Sequence, residues 1–353
     1  MRVGFIGSVG VPNIYGGFES FLETCTPWLA KKVSSIFVTC DATRYNNRFK
    51  FYKGFNRIFI PIAATGWTSS FHDLVAFFAI FFRVDKIVVL GVSAGPLFFL
   101  MRILCSIFSK ELIVNIDGVE WRRDKFSNFK KLILRVFDFF AQRFAHKIIL
   151  DNLGLQRFVY GFALSKVSII AYPGDYSLRF YKKGVINPGV ALTICRIEPE
   201  NNLDLMISAV EKSSVINKYY IIGNWDNSIY SKKLKERVGK IENIYAIDAI
   251  YDPEVIGEYR SICEFYLHGH SVGGTNPSLV EMLYSDAKII AYDCIFNRET
   301  AAGRAIYFDG VEKMVSCIDN IEKNEFSKPL NDYSTESICN KYLKLFGVDT
   351  KSR

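Results

Sequence analysis

The chain has 353 residues, half of them hydrophobic, and this length favours two domains over one. Its eight cysteines include no C-x-x-C pair, so the sequence indicates neither a disulfide framework nor a zinc site. The formal net charge of +8 is uneven, because residues 1–172 hold 22 Lys and Arg against 11 Asp and Glu. Such a basic half suits an anionic membrane, a diphosphate-bearing substrate or nucleic acid, and scattered surface lysines are the simpler explanation.

The start of the chain predicts a buried strand and a turn, without the small-residue cleavage site of a secretory signal. The most apolar run, Ile87–Phe108, is interrupted by two glycines, Pro96 and Arg102. It therefore predicts a strand, a turn and a helix instead of a membrane span. We expect a cytoplasmic protein, peripheral at the inner face of the membrane.

In the first half, short β-rich runs alternate with helical periodicity. Strands are predicted at Val3–Ile6, Ile36–Cys40, Ile58–Ile62, Ile87–Leu90, Leu112–Ile116, Lys147–Leu150 and Val167–Ala171. Helices are predicted at Phe18–Lys31 and at about 71–82, 96–108, 128–145 and 153–161. This alternation is typical of an α/β domain with a doubly wound parallel sheet.

The second half repeats the pattern after a linker at Tyr172–Asp175. Strands are predicted at Gly189–Cys195, Tyr219–Gly223, Tyr245–Ile247, Cys263–Leu267 and Lys288–Tyr292. Helices are predicted at Asn202–Ser213, 228–239, Pro253–Ser261 and Pro277–Tyr284. We predict domains at 1–172 and 173–333, followed by a helical segment at 334–353. Ligands of such sheets bind at the carboxyl ends of the strands, where the glycine-rich turns fall.

The stretch His268–Glu281 is the most informative in the chain. Gly274, Thr275 and Asn276 lead into a predicted helix, and N–H groups without partners at a helix start favour an anion. Glu281, one turn deeper, is suited to accept hydrogen bonds from sugar hydroxyls. Phosphate beside a sugar diol indicates a nucleotide.

Two further turns follow strands of the first half. Gly7–Glu19 lacks a strict G-x-G-x-x-G, yet Gly16 and Gly17 at the helix start suggest that a ligand approaches the backbone; a packing turn is the alternative. In the stretch 115–123, the carboxylates of Asp117 and Glu120 are suited to accept a proton from a substrate hydroxyl. The alternative is that Asp117 caps a turn and that Trp121, beside it, fills a gap in the core.

Together with Arg196–Asp204, these stretches resemble the retaining family 4 glycosyltransferases, and more closely the bacterial rhamnosyltransferase-like subgroup that assembles cell-wall and O-antigen polysaccharides. The resemblance covers most of the first 300 residues. It implies the GT-B fold, in which two doubly wound Rossmann-like domains face each other across a cleft.

The resemblance also implies roles for residues on the donor side. Arg196 grips the donor diphosphate, and Asn201 stands near the position where the family has a lysine. Glu281 matches the second glutamate of the Glu-x7-Glu signature and binds the ribose, while the first glutamate is replaced by Gly273. Gly16 and Gly17 of the first domain would also approach the diphosphate.

On the acceptor side the resemblance implies Tyr15, Glu19 and Glu120. The cleft histidine that is frequent in the family has no counterpart, so Asp117 is the candidate catalytic base by position alone. Arg196 is the second catalytic candidate, because it stabilises the leaving diphosphate.

The sequence thus predicts a retaining, metal-independent transfer of a sugar, with dTDP-L-rhamnose as the expected donor and no cofactor. The expected acceptor is a polyprenyl-diphosphate-linked saccharide. Alternatives are a UDP- or GDP-hexose donor, a sugar-nucleotide epimerase of the same fold and, remotely, a nucleic-acid-binding module. The segment Trp121–Lys147 is rich in Lys and Arg and indicates either a helix on an anionic membrane, bound through Lys130, Lys131 and Arg135, or an ordinary buried amphipathic helix with a basic outer face.

Overall fold

The computed structural model describes residues 1–123, 126–321 and 332–348. Asp124, Lys125 and the last five residues of the predicted C-terminal segment lie outside this description. The chain divides into two units. Unit 1 is Met1–Pro173 together with the segment that begins at Thr335, and unit 2 is Gly174–Ser334.

Unit 1 is an α/β sandwich around one sheet. Its strands are β1 (Arg2–Ile6), β2 (Ser35–Asp41), β3 (Phe51–Tyr52), β4 (Phe55–Ile60), β5 (Lys86–Leu90), β6 (Glu111–Asn115), β7 (Lys147–Leu150) and β8 (Val167–Ile169). Its helices are α1 (Gly17–Leu29), α2 (Ser69–Phe81), α3 (Leu97–Ile107), α4 (Asn128–Phe144) and α11 (Thr335–Leu345). The sheet order is β3-β4-β2-β1-β5-β6-β7-β8, parallel except for β3.

The central strands of unit 1 are continuous runs of Val, Ile and Leu because helices cover both faces of the sheet. On one face α11 packs against α1, where the rings of Phe21 and Tyr342 lie 4.9 Å apart between centroids. Strands β1, β5 and β6 are neighbours and run parallel, so the loops that follow them meet at one edge of the sheet.

Unit 2 has a second sheet, entirely parallel, in the order β11-β10-β9-β12-β13-β14. Its strands are β9 (Asn187–Ile194), β10 (Lys218–Gly223), β11 (Ile244–Asp248), β12 (Cys263–His268), β13 (Lys288–Tyr292) and β14 (Ala305–Phe308). Its helices are α5 (Leu203–Lys212), α6 (Ile229–Val238), α7 (Pro253–Ile262), α8 (Pro277–Met282), α9 (Ile295–Ala301) and α10 (Val311–Asp319).

Some predicted elements differ from the structure. The helix predicted at 153–161 is wrong: two 3-10 segments, Leu153–Phe158 and Gly161–Lys166, stand there, because a glycine in each weakens a regular helix. The strand predicted at Ile58–Ile62 is β4 and ends one residue before Pro61, which has no N–H to donate to a neighbouring strand. The sequence prediction omitted β3, β14, α9 and α10.

Among the described residues, no helix is both long and apolar enough to cross a bilayer.

Candidate functional site

In unit 2, three loops meet at the carboxyl edge of the sheet. They follow β9, β12 and β13, which are neighbouring parallel strands. The side chain of Asn202 donates to the carbonyl of Gly269 at 2.7 Å, and the N–H of Ser271 donates to the carbonyl of Glu200 at 3.0 Å. Asn297, at the start of α9, donates to the carbonyl of His270 at 2.8 Å. These bonds fix the three loops as one scaffold.

The loop after β12 can follow its path only because two of its residues are glycine. A Cβ at Gly269 would stand 2.0 Å from the carbonyl oxygen of Asn201, so no other residue permits this approach. Gly273 has a φ of +127°, which only glycine adopts without strain, and a Cβ there would stand 3.0 Å from His270. The glycine-rich sequence is therefore required by the scaffold itself, in addition to any ligand.

Arg196 and Asn201 have different positions in this scaffold. The Arg196 side chain is exposed, just beyond the end of β9. Asn201 is buried: its amide nitrogen donates to the carbonyl of Arg196 at 2.6 Å, and its amide oxygen lies 2.8 Å from a ring nitrogen of His270. The amide nitrogen and oxygen of Asn201 thus hold the loop after β9 in shape and tie it to the loop after β12, so the structure gives Asn201 a scaffolding role. Arg196 has the exposed cationic side chain.

The start of α8 lacks the unpaired N–H groups that the sequence led us to expect. Asn276 caps the helix: its side chain accepts from the N–H of Ser278 at 3.0 Å, and its carbonyl accepts from Leu279 and Val280, both at 3.1 Å. The remaining first-turn residue, Pro277, has no N–H. The expectation of N–H groups without partners at this helix start is wrong, because the cap uses them. An anion at this edge would bind the preceding loop, which includes Gly274 and Thr275.

Glu281 is buried on α8, and both of its carboxylate oxygens have partners within unit 2. The hydroxyl of Tyr176 donates to one oxygen, and the guanidinium of Arg260 forms an ion pair with the other. Burial lowers the pKa of Arg260 because it disfavours the charged guanidinium, and Glu281 supplies an opposite charge beside it. Sequence reasoning missed these partners because they lie 105 and 21 positions away, and no periodicity links them to Glu281.

The histidines of the loop after β12 belong to the interior. Burial lowers the pKa of His268 to about 3, an effect that a hydrogen bond with Asn297 opposes. His268 is therefore neutral at physiological pH. Its Nε2 atom has no hydrogen-bond partner among the described residues.

In unit 1, the turn after β1 is shaped by packing. Gly7 and Gly10 have φ values of +88° and +112°, and a Cβ on either would collide with neighbouring strands, at Leu90 and Cys40 respectively. Gly16, the residue before α1, has an extended φ of −167°, which any residue adopts. The residues that must be glycine here are thus not the pair predicted to contact a ligand, Gly16 and Gly17.

Glu19 lies in the first turn of α1, and its carboxylate accepts hydrogen bonds from backbone N–H groups at the start of this helix. It is buried and accepts from the N–H of Val9 at 2.8 Å. Burial raises its pKa, and hydrogen bonds from the N–H groups of Val9, Glu19 itself and Gly16 oppose the rise. This internal carboxylate uses the donors expected to bind a diphosphate, so Glu19 stabilises the turn instead of facing a substrate. Tyr15, in contrast, is half exposed.

Asp117 stands just after β6 with a strained backbone. Its φ is +58°, in the left-handed region, and its N–H donates to the side chain of Asn115 at 2.9 Å. Strain of this kind is concentrated at functional sites, although Asp tolerates it better than most residues. Glu120 follows and forms an ion pair with Arg123 at 2.5 Å.

Asp117 and Glu120 line a small pocket of about 10 Å³ in unit 1, together with Trp121, Phe158 and Asp138. The Trp121 ring lies edge-on to Phe158 and donates to Asp138 at 3.3 Å. Burial raises the pKa of Asp138, and its bonds to Gln142 and Trp121 oppose this. The pocket is too small to enclose a sugar ring, although aromatic rings and carboxylates are the groups on which sugar C–H groups pack and to which sugar hydroxyls donate.

The described residues contain no group of three or more His, Cys, Asp or Glu arranged to hold a metal ion.

Comparisons with known proteins bear on the fold. The family described as "Domain of unknown function (DUF1972)" matches residues 1–175, and no curated protein matches the sequence. Sucrose-phosphate synthase from Thermosynechococcus elongatus has a TM-score of 0.78 at 10% identity and covers 98% of both chains. Anabaena HepE, in complex with UDP-glucose, has a TM-score of 0.73 at 14% identity and covers 98% of this chain and 99% of its own. A glycosyltransferase from Rickettsia africae has a TM-score of 0.67 at 11% identity and covers 99% of both.

At these identities the likeness shows the fold alone. The chain has two Rossmann-like α/β domains with parallel sheets, as in GT-B glycosyltransferases, so the fold class predicted from the sequence is confirmed.

Proposed function

We propose that this protein is a glycosyltransferase that moves a sugar from a nucleotide-sugar donor to a saccharide acceptor. The observation that carries the proposal is the carboxyl edge of unit 2, where the exposed Arg196 follows β9 and the glycine loop follows the neighbouring strand β12. In α/β folds this edge is the usual ligand position. The solved structure of HepE contains UDP-glucose, which supports a sugar nucleotide as the ligand of such a fold.

In the proposed donor site, Arg196 binds the diphosphate together with the loop that contains Gly274. Glu281 accepts hydrogen bonds from the ribose, and Arg260 holds its carboxylate in place. Asn201 contributes indirectly, because it holds the two loops together. We propose dTDP-L-rhamnose as the donor, since glycine at position 273 removes a carboxylate and a 6-deoxy sugar presents one hydroxyl fewer. A UDP-hexose is the second candidate, which the UDP-glucose in HepE favours.

The proposed reaction retains the configuration of the anomeric carbon. The bond from that carbon to the diphosphate oxygen breaks, and a bond to the acceptor oxygen forms on the same face. The acceptor proton passes to a leaving phosphate oxygen or to the carboxylate of Asp117. Arg196 stabilises the negative charge that develops on the diphosphate, which lowers the barrier without requiring a metal ion.

The proposed acceptor site is the pocket of unit 1 lined by Asp117, Glu120 and Trp121. We propose that the acceptor is a saccharide carried on a polyprenyl diphosphate, so that the enzyme works at the cytoplasmic face of the membrane. The two rings and three carboxylates of this small pocket are groups that a sugar would contact on the surface around it, whatever the lipid.

A donor panel tests the proposal. The protein is mixed with dTDP-L-rhamnose and with UDP- and GDP-hexoses, and binding is measured by calorimetry and nucleotide release with and without acceptor. We expect one donor to bind and to release its nucleoside diphosphate only with acceptor. Arg196→Ala should slow the release roughly ten- to a hundredfold, whereas Lys232→Ala, at an exposed cation elsewhere in unit 2, should leave it unchanged. Binding of no donor would contradict the proposal, and so would isomerisation of a donor without acceptor, which identifies an epimerase.

A further inference from the structure

Helix α4 exposes several of its apolar side chains, while others are partly buried. Its buried residues are Asp138, Ala141 and Gln142, whereas Phe129 and Leu132 are 70% and 59% exposed. The outer face of α4 is basic, as in an ordinary amphipathic helix, but it also exposes large apolar side chains. Because large apolar side chains in water are unfavourable, this face needs a partner.

The exposed apolar surface continues across the neighbouring helices α2 and α3. Phe99 of α3 contacts Phe144 of α4, and Phe82 contacts Phe108, with ring centroids 5.2 and 5.9 Å apart. We call this surface the outer apolar face and define it by six exposed side chains: Phe82, Phe99, Ile103, Ile107, Phe129 and Leu132. In the described part of unit 2, by contrast, no phenylalanine is exposed. Exposed apolar side chains also occur elsewhere, among them Trp67 and Ile229, but these three helices carry a group of them on consecutive elements of one unit.

The charges on these helices have one sign. Helices α2, α3 and α4 are described in full and contain two acidic residues, Asp73 and Asp138, both buried. Their exposed cations include Lys130, Arg135 and Arg143. A second copy of the chain would bring like charges together on this face, whereas an anionic surface would neutralise them. Apolar side chains interleaved with cations are the pattern of a helix that lies in a membrane interface.

We propose that the outer apolar face docks on an anionic lipid bilayer and inserts its apolar side chains among the headgroups. Helix α4 has 17 residues and is about 25 Å long, so it offers a long edge parallel to the membrane. Phe129 and Leu132 enter the interface, and the cations beside them bind lipid phosphates. This goes beyond sugar transfer and would hold whichever sugar the protein moves.

The test uses the full-length protein and two kinds of vesicle, phosphatidylcholine alone and phosphatidylcholine with about one third phosphatidylglycerol. Co-sedimentation is measured for the wild type and for three double variants. Phe129→Gln/Leu132→Gln removes apolar contact, and Lys130→Gln/Arg143→Gln removes charge. Ile229→Gln/Lys232→Gln is the matched control on α6 in unit 2, where Ile229 is 76% exposed. All six positions are exposed, so each variant should fold.

We expect binding to anionic vesicles, weakened at least tenfold in the first variant, weakened and less salt-sensitive in the second, and unchanged in the control. Wild-type binding by the first variant, or equal binding of the wild type to both vesicle types, would overturn the proposal. So would a dimer of the wild type, found by analytical ultracentrifugation, that Phe129→Gln/Leu132→Gln dissociates. Vesicle binding needs no donor, so a negative donor panel with positive sedimentation would reject only the transfer reaction.

Discussion

Replacement of Glu281 by glutamine affects both its structural role and its proposed role in donor binding. The substitution removes the charge that pairs with the buried Arg260 in unit 2. Breaking a buried ion pair from one side costs about 3–5 kcal/mol, because the other charge stays buried without compensation. Loss of a charged acceptor for ribose hydroxyls would cost donor binding a further 1.5–3 kcal/mol or so. The single variant therefore mixes both effects.

The double variant Glu281→Gln/Arg260→Gln separates them. It removes both charges of the pair, so we expect most of the lost stability to return while donor binding stays at least tenfold weaker than in the wild type. Unfolding in urea is followed by hydrogen exchange of peptides from β9 and β12, which reports on unit 2 alone. Donor affinity is measured by calorimetry. Wild-type affinity in the double variant would refute a ribose contact, and wild-type stability in the single variant would refute the argument from the ion pair.

Four further predictions follow from the sites. Arg196→Ala should lower kcat roughly ten- to a hundredfold with less effect on KM, since charge on the diphosphate grows in the transition state; a change confined to KM would contradict this. EDTA should leave turnover unchanged. Inhibition by EDTA that magnesium reverses would contradict a metal-independent reaction. Asp117→Gly and Asp117→Ala should both lose at least a hundredfold in turnover. The glycine variant should be the more stable by about 1 kcal/mol because of the positive φ, and wild-type turnover in either variant would exclude a catalytic carboxylate. Burial lowers the pKa of His268 in the folded protein to about 3, whereas the unfolded chain takes up this proton near pH 6.5. Stability should therefore not depend on His268 above pH 6.5, and it should fall by about 1.4 kcal/mol per pH unit as the pH drops from 6.5 toward 3. His268→Gln should flatten that slope in urea midpoints between pH 7 and 4, and an unchanged slope would contradict the assignment.

The fold could be predicted because its signals are local. Runs such as Ile87–Leu90 and Leu112–Ile116 are apolar throughout, as strands buried on both faces require, and each is followed by a turn. The helices after β13 and β14 have only seven and nine residues and escaped prediction.

The candidate sites could be predicted less well because they depend on contacts between distant positions. The sequence shows that Glu281 stands on a helix after a glycine loop, but not that Tyr176 and Arg260 take its oxygens. It shows Glu19 near two glycines, but not that its carboxylate turns back to Val9. Helix α4 has strong periodicity, and only the structure shows which face is buried.

The most direct test of the central claim is mass spectrometry of the acceptor. The protein is incubated with the donor selected by the panel and with a polyprenyl-diphosphate-linked saccharide, and the lipid fraction is analysed beside a reaction with Arg196→Ala. Sugar transfer predicts an acceptor heavier by one sugar residue, formed by the wild type only when donor is present and formed much more slowly by Arg196→Ala. An acceptor of unchanged mass, when the donor binds and is consumed, would contradict the assignment of this protein as a glycosyltransferase.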